Sequence, residues 1–223
     1  MSIEQLWPRV KNVLKQFMPT AHDALLPPAT DAEIKAAETI MGMNFSEDLH
    51  FMYRQNNGFH RHACISDFFL PGRRWCNVKD MLYYWQDVDQ HVDQYFERSF
   101  KQSETDQIQW GNLMVKPIFQ NRKWLPIGLS RAPGSLLLDF DPAPSGYIGQ
   151  LISVSDGYTS VVAPSLLEWL DFFCIAFEKR YLTLHEDFYW MDMRSGLPKH
   201  INANNIYWQF YPEKLKPGVR TTL

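Results

Sequence analysis

Three aspartates stand where two successive segments of strand-like sequence end. Asp139 and Asp141 alternate in the sequence Leu-Leu-Asp-Phe-Asp-Pro, and alternate residues of a strand point to one face of a sheet. Asp156 follows in a Ser-Asp-Gly turn after the next predicted strand and could lie close by. Such carboxylates could serve glycoside hydrolysis or hold a hard cation. They could equally contact a protein partner, or accept hydrogen bonds in turns before proline and glycine.

A second group of residues could bind a metal. His60, His62 and Cys64 fall on one face if their segment is extended, and Cys76 follows twelve residues later. Structural zinc sites usually have paired ligands at both ends, and no second pair stands near Cys76. The three residues are therefore weak metal candidates, and we predict neither a bound metal nor another cofactor.

Sequence motifs for nucleophilic or nucleotide chemistry are absent. The chain has no G-x-S-x-G elbow, no S-x-x-K motif, no G-x-x-x-x-G-K-[ST] loop and no G-x-G-x-x-G turn. These motifs place a nucleophile on a strained turn or cradle phosphate on backbone amides. We therefore predict a protein that is not an enzyme.

The composition is that of a globular protein in a reducing compartment. With 223 residues, 45% of them apolar, the chain can bury the core of one domain. Three scattered cysteines do not form a disulfide framework, and the first residues resemble no signal peptide. No run approaches membrane-spanning length, and a net charge of −3 does not favour nucleic acid. We predict a cytoplasmic protein that binds neither membranes nor nucleic acid.

The first half of the chain predicts helices. Apolar spacing indicates a first helix from about Trp7 to Phe17, although Pro8 must lie in its first turn or kink it. A capping box at Thr30 and Glu33 opens a second helix that ends at Gly42. Ser46 caps a third helix, and Asn77 caps a longer one that runs through Phe96.

The second half predicts a sheet, a helix and an extension. Short apolar runs alternate with glycine and proline breaks, which is typical of an antiparallel meander or mixed sheet. The predicted strands are 68–70 in the first half and then 115–119, 124–128, 135–140, 147–154 and 159–163. A capping box at Ser165 and Glu168 opens a helix through Tyr181 that should cover the sheet. The aromatic and basic residues 183–223 could be core, dimer contact or partner surface.

Taken together, these segments resemble the SUKH superfamily, which includes the Smi/Knr cell-wall-assembly regulators of fungi and many bacterial immunity proteins. The resemblance covers about residues 27–173 and rests on ordered pieces of sequence. These pieces are Pro27-Pro-Ala-Thr30, Phe45-Ser-Glu-Asp-Leu49, Tyr53-Arg-Gln-Asn-Asn-Gly58, Trp124-Leu-Pro-Ile-Gly128, Leu137-Leu-Asp-Phe-Asp-Pro142, Gly149-Gln-Leu-Ile152, Ser155-Asp-Gly157 and Leu167-Glu-Trp-Leu170. In one departure, Pro133-Gly134-Ser135 replaces a glycine-aspartate pair that many members carry.

The resemblance implies an α+β fold: a mixed, mostly antiparallel sheet flanked by helices. We predict a single domain over residues 1–223, with a SUKH-like core at about 27–182 and an extension at 183–223. It also implies a protein partner, typically a cognate toxin, with Asp139, Asp141 and Asp156 as the expected contacts. If the toxin is a nuclease, these acids could occupy its basic cleft. A regulatory or scaffold protein of the cell-wall-assembly-regulator type is the alternative, and an unrecognised metal-dependent enzyme is the third. The sequence does not determine the oligomeric state.

Overall fold

Four helices open the fold: α1 (Ile3–Phe17), α2 (Pro19–Asp23), α3 (Asp31–Met41) and α4 (Glu47–Gln55). The computed structural model describes residues 1–60, 70, 73–103, 114–118, 120–129, 134–155, 158–184, 190–196, 199–200 and 206–211, with the backbone alone for 93–103, 158 and 200. The capping box of α3 is present as predicted, because the Glu33 amide donates to Thr30 Oγ1 at 3.2 Å and the Thr30 amide donates to Glu33 Oε2 at 2.8 Å. Gly42 ends this helix in the left-handed conformation, with φ +61°.

The first helix begins earlier than its sequence predicts. It starts at Ile3 and contains Pro8 in its interior, whereas we expected a start near Trp7. Proline removes one backbone hydrogen bond from a helix. The buried stripe lies on both sides of Pro8 and its packing stabilises the helix across the defect. The stripe consists of Ile3, Leu6, Trp7, Val10, Val13 and Leu14.

Helix α5 (Val78–Ser103) is held at its start by two asparagines. The Asp80 amide donates to Asn77 Oδ1 at 2.7 Å, which confirms the predicted cap, and the Val78 amide donates to Asn57 Oδ1 at 2.9 Å. Gly58, with φ +73°, passes so close to this turn that a Cβ would lie 2.6 Å from the Cys76 carbonyl carbon. The Asn-Gly pair after α4 therefore docks the start of α5.

A five-stranded antiparallel sheet forms the centre of the fold. Its strands are β1 (Arg74–Trp75), β2 (Trp124–Leu129), β3 (Ser135–Asp139), β4 (Gln150–Ser155) and β5 (Tyr158–Ala163), in that spatial order. The α+β class and the predicted meander are thus confirmed. Phe68 and Phe69 of the predicted strand 68–70 lie outside the described residues.

The predicted strand 115–119 is wrong over the residues described. Residues 114–118 form bends without strand pairing. The Met114 carbonyl instead accepts from the Ala143 amide at 3.1 Å and from Gln150 Nε2 at 2.9 Å. Pro117 also lacks the N–H that a strand ladder requires. This segment is therefore bound to a loop and a side chain, not to a neighbouring strand.

Helix α6 (Leu166–Glu178) is apolar on nearly every side and is surrounded by other elements. Ser165 caps it as predicted, and Arg9 of α1 bridges to Asp171 at 2.8 Å and to Glu178 at 2.6 Å. The C-terminal extension supplies a second sheet and a short helix. These are β6 (Leu182–Leu184), β7 (Trp190–Asp192), β8 (Lys199–His200) and α7 (Ile206–Phe210).

The described part of the extension is core. Trp190 stacks on Trp169 of α6 with ring centroids 5.9 Å apart, and the Trp208 indole donates to the Val161 carbonyl of β5 at 2.6 Å. One cluster of buried apolar side chains runs from Ile3 to Trp208. Of the three roles left open for the extension, burial in the core applies to these residues.

Candidate functional site

The two aspartates of the β3 segment have different surroundings. Strand β3 ends at Asp139, which pairs in register with Trp124 of β2 and with Gln150 of β4. The chain then turns, so the alternation expected to place Asp141 on the same face stops before that residue. Asp139 is 0% exposed, whereas the Asp141 side chain is 38% exposed.

Hydrogen-bond donors surround the Asp139 carboxylate. Oδ1 accepts from Trp124 Nε1 and from the Asp141 amide, both at 3.0 Å, and Oδ2 accepts from Gln150 Nε2 at 2.9 Å. The bond from the Asp141 amide forms an Asx turn, in which an aspartate side chain accepts from the backbone amide two residues later. This is the structural role that the sequence left open for these acids. An ionised carboxylate, which only accepts, matches such a set of donors.

Burial raises the pKa of Asp139, because the charged form loses its hydration. The hydrogen bonds from Gln150, the Asp141 amide and Trp124 favour the charged form and reduce the rise without cancelling it. The carboxylate therefore stays in the interior at some energetic cost. Its contacts hold together β2, β4 and the turn that follows β3.

Asp141 is a surface carboxylate that already has partners. Its Oδ1 accepts from Lys116 Nζ, and its Oδ2 accepts from Asn121 Nδ2 at 2.9 Å. Partial burial raises the pKa of Asp141, but the bonds from Lys116 and Asn121 and the charge of Lys123 outweigh it and lower the pKa overall. Asp141 is thus ionised, and lysines compensate its charge.

These positions correct one expectation. Asp139 was predicted to contact a partner, but its carboxylate is buried and bonded within the chain, so it is not placed to touch another protein. Asp141 remains a surface candidate. Asp156 lies outside the described residues, and its role stays a prediction. Its described neighbours Ser155 and Tyr158 lie at the end of β4 opposite to Asp139 and Gln150, which contradicts the expectation that the three acids lie close together.

Sequence reasoning missed a loop that Asp139 organises. Residues 140–149 connect β3 to β4, and we refer to 142–149 as the loop; the sequence predicts a strand from Tyr147, whereas β4 begins at Gln150. The Gly149 amide donates to the Asp139 carbonyl at 2.7 Å, and the Tyr147 amide donates to Gln150 Oε1 at 3.1 Å. A Cβ on Gly146 would overlap the Met114 carbonyl oxygen. A polar glutamine next to Gly149, at the head of an apolar run, was the available signal.

The loop presents an isoleucine to solvent. Ile148 is 80% exposed, the highest value among the large apolar side chains in the described part of the chain. Phe140, Pro142 and Tyr147 are half-buried around the same connection. Residues 142–149 contain no charged side chain. The end of the sheet thus carries an uncharged, apolar loop beside the Asp141–Lys116 pair.

Only some of the candidate metal ligands lie among the described residues. His60 is exposed, while His62 and Cys64 lie outside the described residues. Cys76 is buried, with its thiol 3.3 Å from the Pro126 carbonyl oxygen. Among the residues described, no group of three or more His, Cys, Asp or Glu could hold a metal ion. Within the same residues, no helix has the length and apolarity to cross a membrane.

The sequence that forms this fold matches the model of a known family. The chain is a member of the SMI1 / KNR4 family (SUKH-1), whose family model matches residues 28–171, more than half of the chain. The match confirms the resemblance to the SUKH superfamily. A search of curated proteins finds no match. Helix α1 and the extension after α6 lie outside the matched residues.

Proposed function

We propose that this chain is a non-enzymatic protein-binding domain that acts as an immunity protein and neutralises a toxin domain by direct binding. The observation that carries the proposal is the family match over residues 28–171. The features expected of a binding role are a rigid scaffold and a surface loop held in one conformation. Both are present at the β3–β4 end of the sheet.

The surroundings of the aspartates support binding over hydrolysis. A glycosidase presents two carboxylates to one substrate bond. Asp139 is 0% exposed and its oxygens accept from three protein donors, so it does not face a substrate. Asp141 is compensated by Lys116. The pair is therefore a structural carboxylate beside a surface one.

We infer that Asp141, after β3, and Asp156, which follows Ser155 at the opposite end of the β3–β4 pair, both belong to the surface that meets the toxin. Charges at the rim of an interface mainly steer association and select partners. A nuclease toxin has a basic substrate cleft, and these acids would face it. Capture of such a partner would weaken with salt, because exposed charges are screened.

Affinity capture tests the proposal. Tagged protein is incubated with lysate of its own source, washed at increasing salt, and the retained proteins are identified by mass spectrometry. We expect one stoichiometric partner that carries a toxin domain. Co-expression of that domain with this chain should restore growth, while the domain alone should stop it. A partner whose toxicity is unchanged by this chain would contradict the immunity role.

Charge reversal tests the two acids. The double variant Asp141→Lys, Asp156→Lys should lose affinity for the captured partner. The control is Asp23→Lys, Asp87→Lys, which changes net charge equally at two exposed side chains on α2 and α5. Equal affinity of both variants would remove Asp141 and Asp156 from the interface. Asp139 is left unchanged, because a lysine there would disrupt the interior.

The family description favours a second candidate. The matched family is named for SMI1 / KNR4, and the resemblance to fungal cell-wall-assembly regulators implies a regulatory scaffold. A scaffold would capture several partners, and a salt wash would remove them. Its affinities would be well below those of immunity pairs, which approach the non-covalent limit. The same capture experiment therefore separates the two functions.

A further inference from the structure

The loop at the end of β3 combines three properties. It is held in one conformation by buried groups, it carries no charge, and it exposes a large apolar side chain. Exposed single apolar residues are common on protein surfaces. An apolar residue on a preorganised loop is a different case. Such a loop is already ordered, so binding does not carry the entropic cost of ordering it.

The rigidity comes from beneath the loop. Gln150 Nε2 donates to the Met114 carbonyl and to Asp139 Oδ2, both at 2.9 Å. The Ala143 amide also donates to the Met114 carbonyl, at 3.1 Å, and the Gly146 amide donates to the Ala143 carbonyl at 2.8 Å. The Ala143 amide thus ties the loop to residue 114, and the Tyr147 amide ties it to β4 by donating to Gln150 Oε1 at 3.1 Å. The Gln150 bonds hold the segments beneath the loop together.

Close packing adds to the hydrogen bonds. A Cβ on Gly146 would lie 2.6 Å from Pro142 Cβ and would overlap the Met114 carbonyl oxygen. The chain at Gly146 therefore lies directly against the 114 segment. Pro142 and Pro144 restrict the backbone further, because their φ angles are fixed. Ile148 is thus presented from a frame with little freedom.

Burying an unpaired carboxylate is unfavourable in a protein interior. Asp139 is buried here, and its contacts are the indole of Trp124, the Asp141 amide and Gln150. Two of these three donors belong to the ends of the loop connection. Asp139 and Gln150 therefore act as positioning residues for the loop.

We propose that the loop of residues 142–149 is the contact surface for the protein partner, with Ile148 as the apolar anchor that enters an apolar pocket of that partner. This inference rests on the proposed function. The absence of charge along the loop matches an apolar pocket and not a phosphate or an ionic site. The Asp141–Lys116 pair and Lys123 form a charged rim on one side, an arrangement typical of protein interfaces.

The test compares two equally exposed apolar side chains. Ile148→Ser removes the anchor, and Tyr83→Ser is the matched control, because Tyr83 is 77% exposed on α5. Dissociation constants are measured with the purified partner identified by capture. We expect Ile148→Ser to weaken binding about tenfold to a hundredfold, which corresponds to one apolar side chain leaving a pocket. Tyr83→Ser should bind like the wild type, and Ile148→Leu should retain most of the affinity.

Each other outcome overturns the inference in a distinct way. Equal affinity of Ile148→Ser and wild type removes the loop from the interface while the proposed function stands. The absence of any stoichiometric partner for the wild type removes the proposed function and this inference together. A wild-type dimer that Ile148→Ser dissociates in light scattering shows that a second copy of this chain, and not another protein, occupies the anchor. Thermal unfolding of Ile148→Ser should match that of the wild type, since the side chain is on the surface.

Discussion

Replacing Asp139 by alanine is expected to destabilise the protein and to release the loop after β3. The substitution leaves Trp124 Nε1, the Asp141 amide and one Gln150 N–H without their acceptor. A buried donor without a partner costs about 1–3 kcal/mol. Removing a buried charge offsets part of this loss, so we expect a net decrease of about 2–4 kcal/mol in the free energy of unfolding. A domain of ordinary stability, about 5–15 kcal/mol, stays folded after such a change.

The variant Asp139→Asn keeps part of the hydrogen bonding that the alanine variant loses. Its oxygen can still accept from Trp124 and the Asp141 amide, but its NH2 group faces Gln150 Nε2, which is also a donor. We expect Asp139→Asn to lose about 1–2 kcal/mol, less than the alanine variant. Asp141→Ala is the control, and it should lose at most about 1 kcal/mol, because its ion pair with Lys116 is half-exposed.

Urea unfolding followed by tryptophan fluorescence measures these free energies. Hydrogen exchange gives a second readout, since the amides of Tyr147 and Gly149 are bonded within this network. Both amides should exchange faster in Asp139→Ala than in Asp141→Ala. If the two alanine variants lose equal stability and equal protection, Asp139 does not organise the loop and the reasoning is refuted.

Three further predictions follow from other buried groups. Burial raises the pKa of the Cys76 and Cys174 thiols to about 12. In the variant Cys64→Ser, which leaves only these two cysteines, neither thiol should react with a thiol reagent at pH 8 until the protein unfolds. Labelling of the folded protein would contradict their burial. For Glu38, partial desolvation is outweighed by hydrogen bonds from the Phe45 amide and His50, which lowers its pKa below 4.5. The stability that ionised Glu38 contributes is therefore present above pH 4.5 and is lost as the pH falls through the lowered pKa. The variant Glu38→Gln should be less stable than the wild type at about pH 7 and equally stable near about pH 3. A difference in stability that is the same at both pH values would show that the ionisation of Glu38 does not cause it. Truncation before α7 removes the Trp208 cover from the edge strand β5, and exposed edges pair with other chains. Light scattering should therefore show a larger assembly for the truncated protein than for the full chain; an unchanged assembly size would show that the edge needs no cover.

Local sequence patterns were sufficient for α3 to α6 and for strands β2 to β5, but not for α2, β1 or the elements of the extension. Thr30 with Glu33, Ser46, Asn77 and Ser165 all cap the helices that their positions predict. Such caps are bonds between residues three positions apart, so the information lies within a few neighbouring residues. Strands β2 to β5 were found for a similar reason, since apolar runs between glycine and proline breaks mark buried strands.

The sequence predictions failed where residues distant in sequence supply the hydrogen bonds or the packing surface. Residues 115–118 have strand-like composition, but the Met114 carbonyl bonds to a loop and to Gln150. Helix α1 extends through Pro8 because its buried stripe packs against α6. The two helices are distant in sequence, since the paired residues Arg9 and Asp171 are 162 positions apart. Neither contact is visible in local spacing.

The sequence by itself determined the family, the α+β class and the presence of acids at the end of β3. Tertiary structure alone decided which acid faces outward, because exposure depends on where the strand stops and on which donors surround each carboxylate. Asp139 lies among Trp124 and Gln150 from two neighbouring strands, while Asp141 follows the turn and reaches Lys116 at the surface. The anchor Ile148 became apparent only with the fold, since an isoleucine in an apolar run reads as core until its strand is seen to begin two residues later.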